Sequence, residues 1–398
     1  MHLAIVTPCP LKTPGIGHYG YRVSEALAET GRFGRISVLT ARGAEVPALD
    51  RRPSVTVERV WRQDGADTGP RIGVRLRTLS PDLVWCNLGA SVFGRWPLAN
   101  LSGLLSPSVA RSLRIPSVVT MHEVIEDADF TALGLRNRPL AVLGARMITW
   151  LMLRGDVTCV TLTQHADRLR VRYPGQRLLH IPHGAFDPPQ SLPGAEHAAL
   201  LHFGCQAPFR GLDLLLRVFS DLHSEFPELR LIVAGADHPR FPGYLATLRR
   251  EFSRHPAVEW RGFVPTAELR DLFGRASIVV LPYLATTGSS SVLHRAATWG
   301  RPVVASDLAE MQAAAEEAGF QVGFFPNGSA DGLAQALREF LEDPERRADQ
   351  VRHNLRAVRK VGLESTCRGY VRALDLALDG RVADRRVGRS ASLVREAR

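Results

Sequence analysis

The sequence predicts an α/β protein of two domains, each built around a parallel sheet. Three observations predict it. The chain has 398 residues, and at roughly 100–200 residues per domain that length suits two domains. Short apolar runs alternate with helical patterns along the whole chain, as in strands joined by crossover helices. A break rich in proline and small residues, Asp187-Pro188-Pro189-Gln190-Ser191-Leu192-Pro193-Gly194, divides that alternation near its middle and reads as an interdomain linker.

Taken in order, strands of the first half are expected at 2–7, 36–40, 55–60, 83–87, 117–121, 157–162 and 178–181, with a helix at 22–29 after the first. Several of these strands run into small or polar residues: Thr7-Pro8, Asn87-Leu88-Gly89 and His122-Glu123. In open α/β sheets ligands gather at such carboxyl ends. After the break, strands are expected at 199–203, 229–234, 258–261, 278–281 and 302–305. Helices are expected at 212–226, 244–254, 267–275, about 290–299 and 333–341, and then from 344 to about 378. The last residues mix arginine with small residues and show no periodic apolar face, so they read as a disordered tail.

Composition bounds the remaining possibilities. Hydrophobic residues make up 45% and charged residues 23%, which excludes a wholly disordered or collagen-like chain. The five cysteines, Cys9, Cys86, Cys159, Cys205 and Cys367, are odd in number and include no CxxC. A disulfide framework or zinc cluster is therefore not expected, and a reducing cytosol is. No run of about 18 uncharged apolar residues exists, so no transmembrane helix is expected. The most apolar stretch, 139–153, is interrupted by Arg146 and flanked by Arg138 and Arg154. Residues 1–7 lack a basic segment before their apolar run and read as a buried strand rather than a signal peptide.

The formal charge of +10 is unevenly placed. Residues 1–190 hold 23 Lys+Arg and 15 Asp+Glu, residues 191–378 hold 21 and 22, and the last twenty hold 6 and 3. A basic first half suits an anionic partner such as phosphate groups or acidic lipid. The competing reading is arginine inflation on solvated faces, since 48 of the 50 cations are arginine. No helix-turn-helix, zinc finger or aromatic-rich RNA-binding signature accompanies the charge, which weighs against nucleic acid.

Three segments carry chemistry. Pro14-Gly15-Ile16-Gly17-His18-Tyr19-Gly20-Tyr21 follows the first strand, where glycines admit backbone amides to a ligand and a helix N-terminus favours an anion. Its Gly15-x-Gly17-x-x-Gly20 spacing matches a dinucleotide fingerprint. The loop from Pro8 to Pro14 is too long for one, however, and no acidic residue ends the second strand near Thr40. Phe203-Gly204-Cys205-Gln206-Ala207-Pro208-Phe209-Arg210-Gly211 sets a glycine turn and a cation at a helix start. A cation there opposes the helix dipole, so Arg210 reads as a diphosphate clamp rather than a surface residue. Thr287-Gly288-Ser289-Ser290-Ser291 offers amides and hydroxyls suited to phosphate oxygens, although serines there also serve as plain caps.

These pieces, in this order, resemble the GT-B glycosyltransferases of the retaining family 4 type over about residues 1–378. The resemblance is carried by Gly15-Ile16-Gly17, Thr120-Met121-His122-Glu123, Ile181-Pro182-His183-Gly184, Gly204 through Arg210-Gly211, Val258-Glu259-Trp260-Arg261-Gly262-Phe263-Val264 and Gly300-Arg301-Pro302-Val303-Val304-Ala305-Ser306. It implies two Rossmann-like domains facing across a cleft. The acceptor-binding domain would span 1–187, the linker 188–197 and the donor-binding domain 198–360. A helix at 361–380 would return to the first domain, and the tail would be 381–398.

The resemblance also implies roles. Gly15 and Gly17 would approach the donor diphosphate, and His122 would lie near the donor sugar. Arg210, where the family usually has lysine, would neutralise the departing diphosphate, with Gly204 beginning its motif. Gln206 stands where the family's second cation is expected. The family's paired glutamates correspond to Thr287 and Arg295, so the charge that grips the ribose is reversed at Arg295. Either the nucleotide is held differently, through amides of Gly288, Ser289, Ser290 and Ser291 beside Arg295, or the donor differs, or activity has been lost. His294 reads as a packing or loop residue. No metal and no cofactor beyond the nucleotide-sugar donor is expected; Asp127-Ala128-Asp129 only mimics a metal-binding pair and reads as solvent-facing or acceptor-contacting.

The expected activity is transfer, with retention, of a sugar from a nucleotide-diphosphate donor to a glycan or lipid-linked acceptor of the cell envelope. The protein would be cytoplasmic, with an anionic membrane surface as a peripheral partner. A catalytically silent GT-B binding or scaffold protein, motivated by Gln206 and the absent glutamates, is the rival, and a sugar-nucleotide epimerase a more distant one.

Overall fold

The computed structural model describes residues 1–8, 15–44, 46–135, 137–193, 198–253 and 255–396, with the backbone alone at Pro47 and over 381–396. The connection read at Pro8–Pro14 falls largely outside the described residues, as do some residues of the expected linker. Two compact units emerge. The first comprises Met1–Glu126, Leu143–Ile181 and Leu363–Arg398, and the second comprises Asp127–Val142 and Pro182–Gly362.

The amino-terminal half of the chain forms β1 (His2–Val6), α1 (Ile16–Glu29), β2 (Arg35–Ala41), α2 (Pro47–Asp50), β3 (Val55–Trp61), α3 (Thr68–Leu79), β4 (Leu83–Leu88), α4 (Pro97–Leu104), α5 (Ser106–Ser112), β5 (Ser117–Met121), α6 (Arg138–Met152), β6 (Val157–Val160), α7 (Thr163–Arg172) and β7 (Leu178–His180). Its seven strands lie parallel in the order β3-β2-β1-β4-β5-β6-β7. Strands β4 and β5 are buried along their whole length. Continuous apolar runs such as Leu83-Val84-Trp85-Cys86 are what a sheet covered on both faces requires.

The chain continues through β8 (Ala199–Phe203), α8 (Leu212–Glu225), β9 (Arg230–Ala234), α9 (Tyr244–Glu251), β10 (Val258–Gly262), α10 (Leu269–Gly274), β11 (Ile278–Leu281), α11 (Ser291–Thr298), β12 (Val303–Ser306), α12 (Ala309–Ala318), β13 (Gly323–Phe325), α13 (Ala330–Glu342), α14 (Pro344–Val358) and α15 (Leu363–Glu396). Its six parallel strands take the order β10-β9-β8-β11-β12-β13. In both sheets the order reverses beside the first strand, between β1 and β4 and between β8 and β11. Such switch points splay the loops at the carboxyl ends apart and open a crevice for ligand.

Four details depart from the sequence reading. Helix α1 begins at Ile16 rather than Arg22, so Gly17 and Gly20 lie inside it and Gly15 alone makes the turn, at φ 92°. A Cβ on Gly20 would sit 2.0 Å from Thr7 Oγ1 and 2.6 Å from Asn87 Nδ2, so this glycine lets α1 rest directly on the strand ends. Strand β13 escaped notice because three residues show no periodicity. Residues Asp127–Val142, placed by sequence with the first domain, belong to the second unit. There Leu133 is buried with Ala207, Phe209 and Ala285, and the Leu133 carbonyl accepts a 3.0 Å bond from Arg240. Finally, α15 runs on as helix to Glu396, through the segment read as a disordered tail.

Helix α15 is tied into the first unit by a buried polar chain. Trp85 Nε1 donates to Thr120 Oγ1 at 2.9 Å, Thr120 Oγ1 and Tyr370 Oη are 2.7 Å apart, and Tyr370 and Tyr19 hydroxyls are 2.8 Å apart. Tyr370 and Tyr19 are fully buried. Burial drives both phenol pKa values well up, so they stay neutral donors and acceptors. Among the described residues no helix is long and apolar enough to cross a membrane.

Tyr370→Phe keeps the ring but leaves two buried hydroxyls short of a partner. It should cost about 1–3 kcal/mol, read as a lowered thermal midpoint, whereas Arg368→Gln on the exposed side of α15 should leave the midpoint unchanged.

Candidate functional site

The second unit gathers its expected residues at the switch point between β8 and β11. Gly204 ends β8 with φ 135°, and Gly235 ends β9 so close to it that a Cβ there would lie 1.7 Å from the Gly204 carbonyl oxygen. The next residues fold into a short 3-10 turn, Pro208–Arg210, closed by Gly211 at φ 67°. A Cβ on Gly211 would meet the Pro282 carbonyl oxygen at 1.8 Å, so only glycine lets this turn press against the end of β11. That contact puts Arg210 against the residue after Pro282. Its guanidinium carbon stands 4.2 Å from the centre of the Tyr283 ring, and its Nε is buried with no hydrogen-bond partner among the described residues. Tyr283 is itself held, because its carbonyl accepts a 2.6 Å bond from the Ser306 hydroxyl. An arginine fixed by stacking, with a buried donor left over, is prepared for an anion.

Beside it lies the Thr286–Ser290 segment. Thr286 Oγ1 donates to the Gly288 carbonyl at 3.2 Å, and Gly288 and Ser289 are half-buried. Ser290 is the N-cap of α11, its hydroxyl accepting from the Leu293 amide at 3.4 Å. The amides of Ser291 and Val292 precede the first intrahelical bond and face out of the helix end, where the dipole adds positive potential. Arg295 lies one turn along α11, with its guanidinium carbon 6.0 Å from the Trp299 ring centre. His294 packs, as expected, against His183 and Phe320, and Nδ1 donates to the Ser290 carbonyl at 3.0 Å.

Gln206, which the sequence marks as an absent cation, is a structural hub. Fully buried, it donates from Nε2 to the Ala234 carbonyl at 3.1 Å and faces His202 Nε2 with Oε1 at 3.0 Å. Its backbone bonds to Ala236 and His238 latch the Gly204–Gly211 loop to the loop after β9. An arginine would not fit that enclosed amide position without an acid to pair it.

The first unit builds its site at the switch point between β1 and β4. Gly15, as N-cap, turns the chain into α1, whose first turn contains Gly17. Asn87, fully buried at the end of β4, donates through Nδ2 to Thr7 Oγ1 at 3.0 Å and to the Ile16 carbonyl at 2.9 Å. With both amide protons used, its Oδ1 is the acceptor for His122 Nε2 at 2.6 Å. This fixes the tautomer: His122 carries its proton on Nε2 and keeps a lone pair on Nδ1. The ring centres of His122 and Tyr19 lie 4.6 Å apart, nearly perpendicular. Burial pushes the His122 pKa down to about 3, so the imidazole is neutral at physiological pH. Glu123 Oε2 accepts the Ala90 amide at 3.1 Å.

Asp129 is exposed and caps a turn through the Thr131 and Ala132 amides. Among the described residues no group of three or more His, Cys, Asp or Glu is gathered as a metal would require. The described cysteines, Cys86, Cys159, Cys205 and Cys367, are free, and Cys9 lies outside the described residues. A groove of about 490 Å³, lined by residues such as Arg77, Asp82, Arg114 and Leu378, lies at the amino-terminal ends of β4 and β5. It is remote from the carboxyl-end loops and offers none of this chemistry. Sequence reasoning missed Asn87 as a hub, and missed Tyr283 and His202. Asn87 at a strand end was a visible signal; Tyr283 and His202 were not, because their roles come from neighbours distant in sequence.

Residues 198–343 match the family model described as Glycosyl transferases group 1. A D-inositol 3-phosphate glycosyltransferase from Kineococcus radiotolerans is 27% identical over 205 residues, 48% of this chain, and the match spans only 47% of that relative. A protein of the same name from Thermobispora bispora is 27% identical over 391 residues, covering 87% of this chain and 88% of the relative. Among solved structures, HepE from Anabaena with UDP and glucose matches with a TM-score of 0.72 at 16% identity, over 94% of this chain and 99% of its own.

The buried histidines carry a pH prediction. Burial holds His122 at about 3, and lowers His202 and His294 to about 4, the Arg210 charge adding to the effect at His202. In the unfolded chain each would titrate near 6.5. Above that pH they contribute no pH dependence. Below it the unfolded chain takes up protons that the folded one refuses, so stability falls as pH drops from about 6.5 toward 4. Thermal midpoints from pH 7.5 to 5 should decline accordingly, and less steeply in His294→Gln.

Proposed function

We propose that this chain, a protein of GT-B fold whose residues 198–343 form a glycosyl transferases group 1 domain, is a glycosyltransferase that moves a sugar from a nucleoside-diphosphate donor to an anionic acceptor with retention. One observation carries the reading: Arg210, stacked on Tyr283 at a sheet switch point, keeps a buried Nε with no partner among the described residues. The solved HepE structures that this chain resembles contain UDP or UDP-glucose, which supports a nucleotide-sugar donor.

The chemistry asks little of side chains as acids. The bond from the anomeric carbon to the diphosphate oxygen breaks through an oxocarbenium-like state, and negative charge grows on the leaving phosphate. Arg210 takes that charge, with the amides of Gly288, Ser289, Ser290 and Ser291 at the α11 end alongside. Preorganised charge of this kind needs no added metal or further cofactor. Retention brings the acceptor oxygen to the face the diphosphate leaves, where a departing phosphate oxygen accepts its proton. His122, neutral and held by Asn87, offers its Nδ1 lone pair to a sugar hydroxyl. Gly15 and Gly17 admit α1 amides to the donor phosphates. The Arg295 side chain, with the serine segment, replaces a carboxylate at the nucleoside.

The basic first half supports an anionic acceptor, a lipid-linked saccharide of the cell envelope reached peripherally from the cytoplasm. The relatives named as D-inositol 3-phosphate glycosyltransferases favour a second acceptor, a phosphorylated cyclic polyol. A catalytically silent scaffold is not favoured, since the Arg210 site is kept intact and the family domain spans it.

Donor hydrolysis and transfer should be assayed over a panel of nucleotide sugars, with lipid-linked saccharides and inositol phosphates as acceptors. We expect one donor to turn over and the product to keep its anomeric configuration by NMR. Arg210→Ala should lower kcat about 100- to 1000-fold and abolish the thermal shift given by the nucleoside diphosphate. No turnover with any donor, together with no thermal shift from any nucleoside diphosphate, would defeat the reading.

A further inference from the structure

Helix α6 turns an apolar face to solvent. Leu143, Met147 and Trp150 are 64%, 42% and 51% exposed. At 100° per residue these three and Arg154, just past the helix end, fall within an arc of about 60°. The opposite side, Ala145, Thr149 and Met152, is buried in the fold. Leu140, one turn earlier, extends the exposed stripe. A helix on a protein surface ordinarily shows the reverse arrangement.

The charges around the stripe say what covers it. From 138 to 154 the sequence holds Arg138, Arg146 and Arg154 and no Asp or Glu. Arg146 is exposed at the edge of the stripe, and the Arg154 guanidinium carbon sits 5.0 Å from the Trp150 ring centre. A tryptophan beside arginines above an aliphatic ridge is the composition of a helix that lies in the headgroup layer, with apolar side chains in the acyl boundary and cations at phosphates. Fifteen residues with two arginines among them cannot span a bilayer. The same β5-to-β6 connection that holds α6 starts at His122, so a surface bound here serves an acceptor carried on lipid.

We propose that α6 is a docking face for an anionic lipid bilayer, with Leu143, Met147 and Trp150 inserted and Arg146 and Arg154 at lipid phosphates. The inference rests on the reading of a lipid-linked acceptor and specifies the surface that meets it.

The test is flotation of the full chain with vesicles of phosphatidylcholine alone and of phosphatidylcholine with phosphatidylglycerol, at low and high salt. Binding is expected to the mixed vesicles only, and to weaken with salt. Leu143→Ser with Trp150→Ser should cut vesicle affinity roughly tenfold or more. Arg146→Gln with Arg154→Gln should cut it about 25-fold, near fivefold per charge. Fluorescence supplies a readout independent of those variants: brominated lipid should quench the wild-type protein more than Trp150→Phe. Failure to bind mixed vesicles, equal quenching of the two proteins, or a concentration-dependent dimer that Trp150→Ser dissociates would overturn the proposal, the last by showing that a second copy covers the face. Donor hydrolysis without lipid is measured in parallel and should be unchanged in all these variants. No turnover with any donor, together with no thermal shift from any nucleoside diphosphate, would defeat the enzymatic reading while leaving the vesicle result standing.

Discussion

The contact between Gly211 and the Pro282 carbonyl is the constraint on which the Arg210 site depends. Any side chain at 211 would overlap that oxygen, so the turn can rest on the end of β11 only as glycine. From this one approach the rest follows. The turn Pro208–Arg210 is carried against the strand, Arg210 reaches the Tyr283 ring, and the Ser306 hydroxyl holds Tyr283 from below. A flexible guanidinium would lose rotamer freedom on binding each anion; one already stacked has given up that entropy during folding. Gly235 does the same at the neighbouring strand, pressed on the Gly204 carbonyl, and the Gln206 backbone closes the two loops together.

The first unit reaches a comparable rigidity by different means. Asn87 spends both amide protons on Thr7 and Ile16, and the amide oxygen that remains decides which nitrogen of His122 bears the proton. A buried amide is the suitable group here because it supplies donors and an acceptor with no charge to desolvate. Burial keeps His122 neutral with a lone pair left on Nδ1, while the Arg210 guanidinium is held in place by stacking.

Net charge, which first suggested an anionic partner, resolves into local uses. Many arginines serve surface pairs, such as Arg338 with Glu225 and Arg275 with Glu259, whose stabilising effect is small. Arg301 is buried and donates to the carbonyls of Phe273, Pro193 and Gly274, a purely structural role. Arg210 stacks on the Tyr283 ring and has no carboxylate partner among the described residues. Arg146 lies in α6 and Arg154 just past its end, in a stretch, 138–154, that holds no Asp or Glu.

The sequence by itself determined the two α/β units, twelve of the thirteen strands, and the strand ends where Gly15, His122, Gly204, Arg210 and Gly288–Ser291 would lie. Those features are local: apolar runs, turn residues and helix caps act within a few positions of themselves. It misjudged the start of α1, because glycines signal both a turn and a close helix contact, and only the nearness of Thr7 and Asn87 to Gly20 separates the two. Tertiary structure alone decided that Gln206 is a buried hub rather than half of a missing cation pair. It alone gave Tyr283 and Asn87 their roles, moved 127–142 to the second unit, and showed which face of α6 is left uncovered. Each of these depends on what a side chain meets across the fold, and burial, stacking and a shared proton are properties of that meeting rather than of the residue.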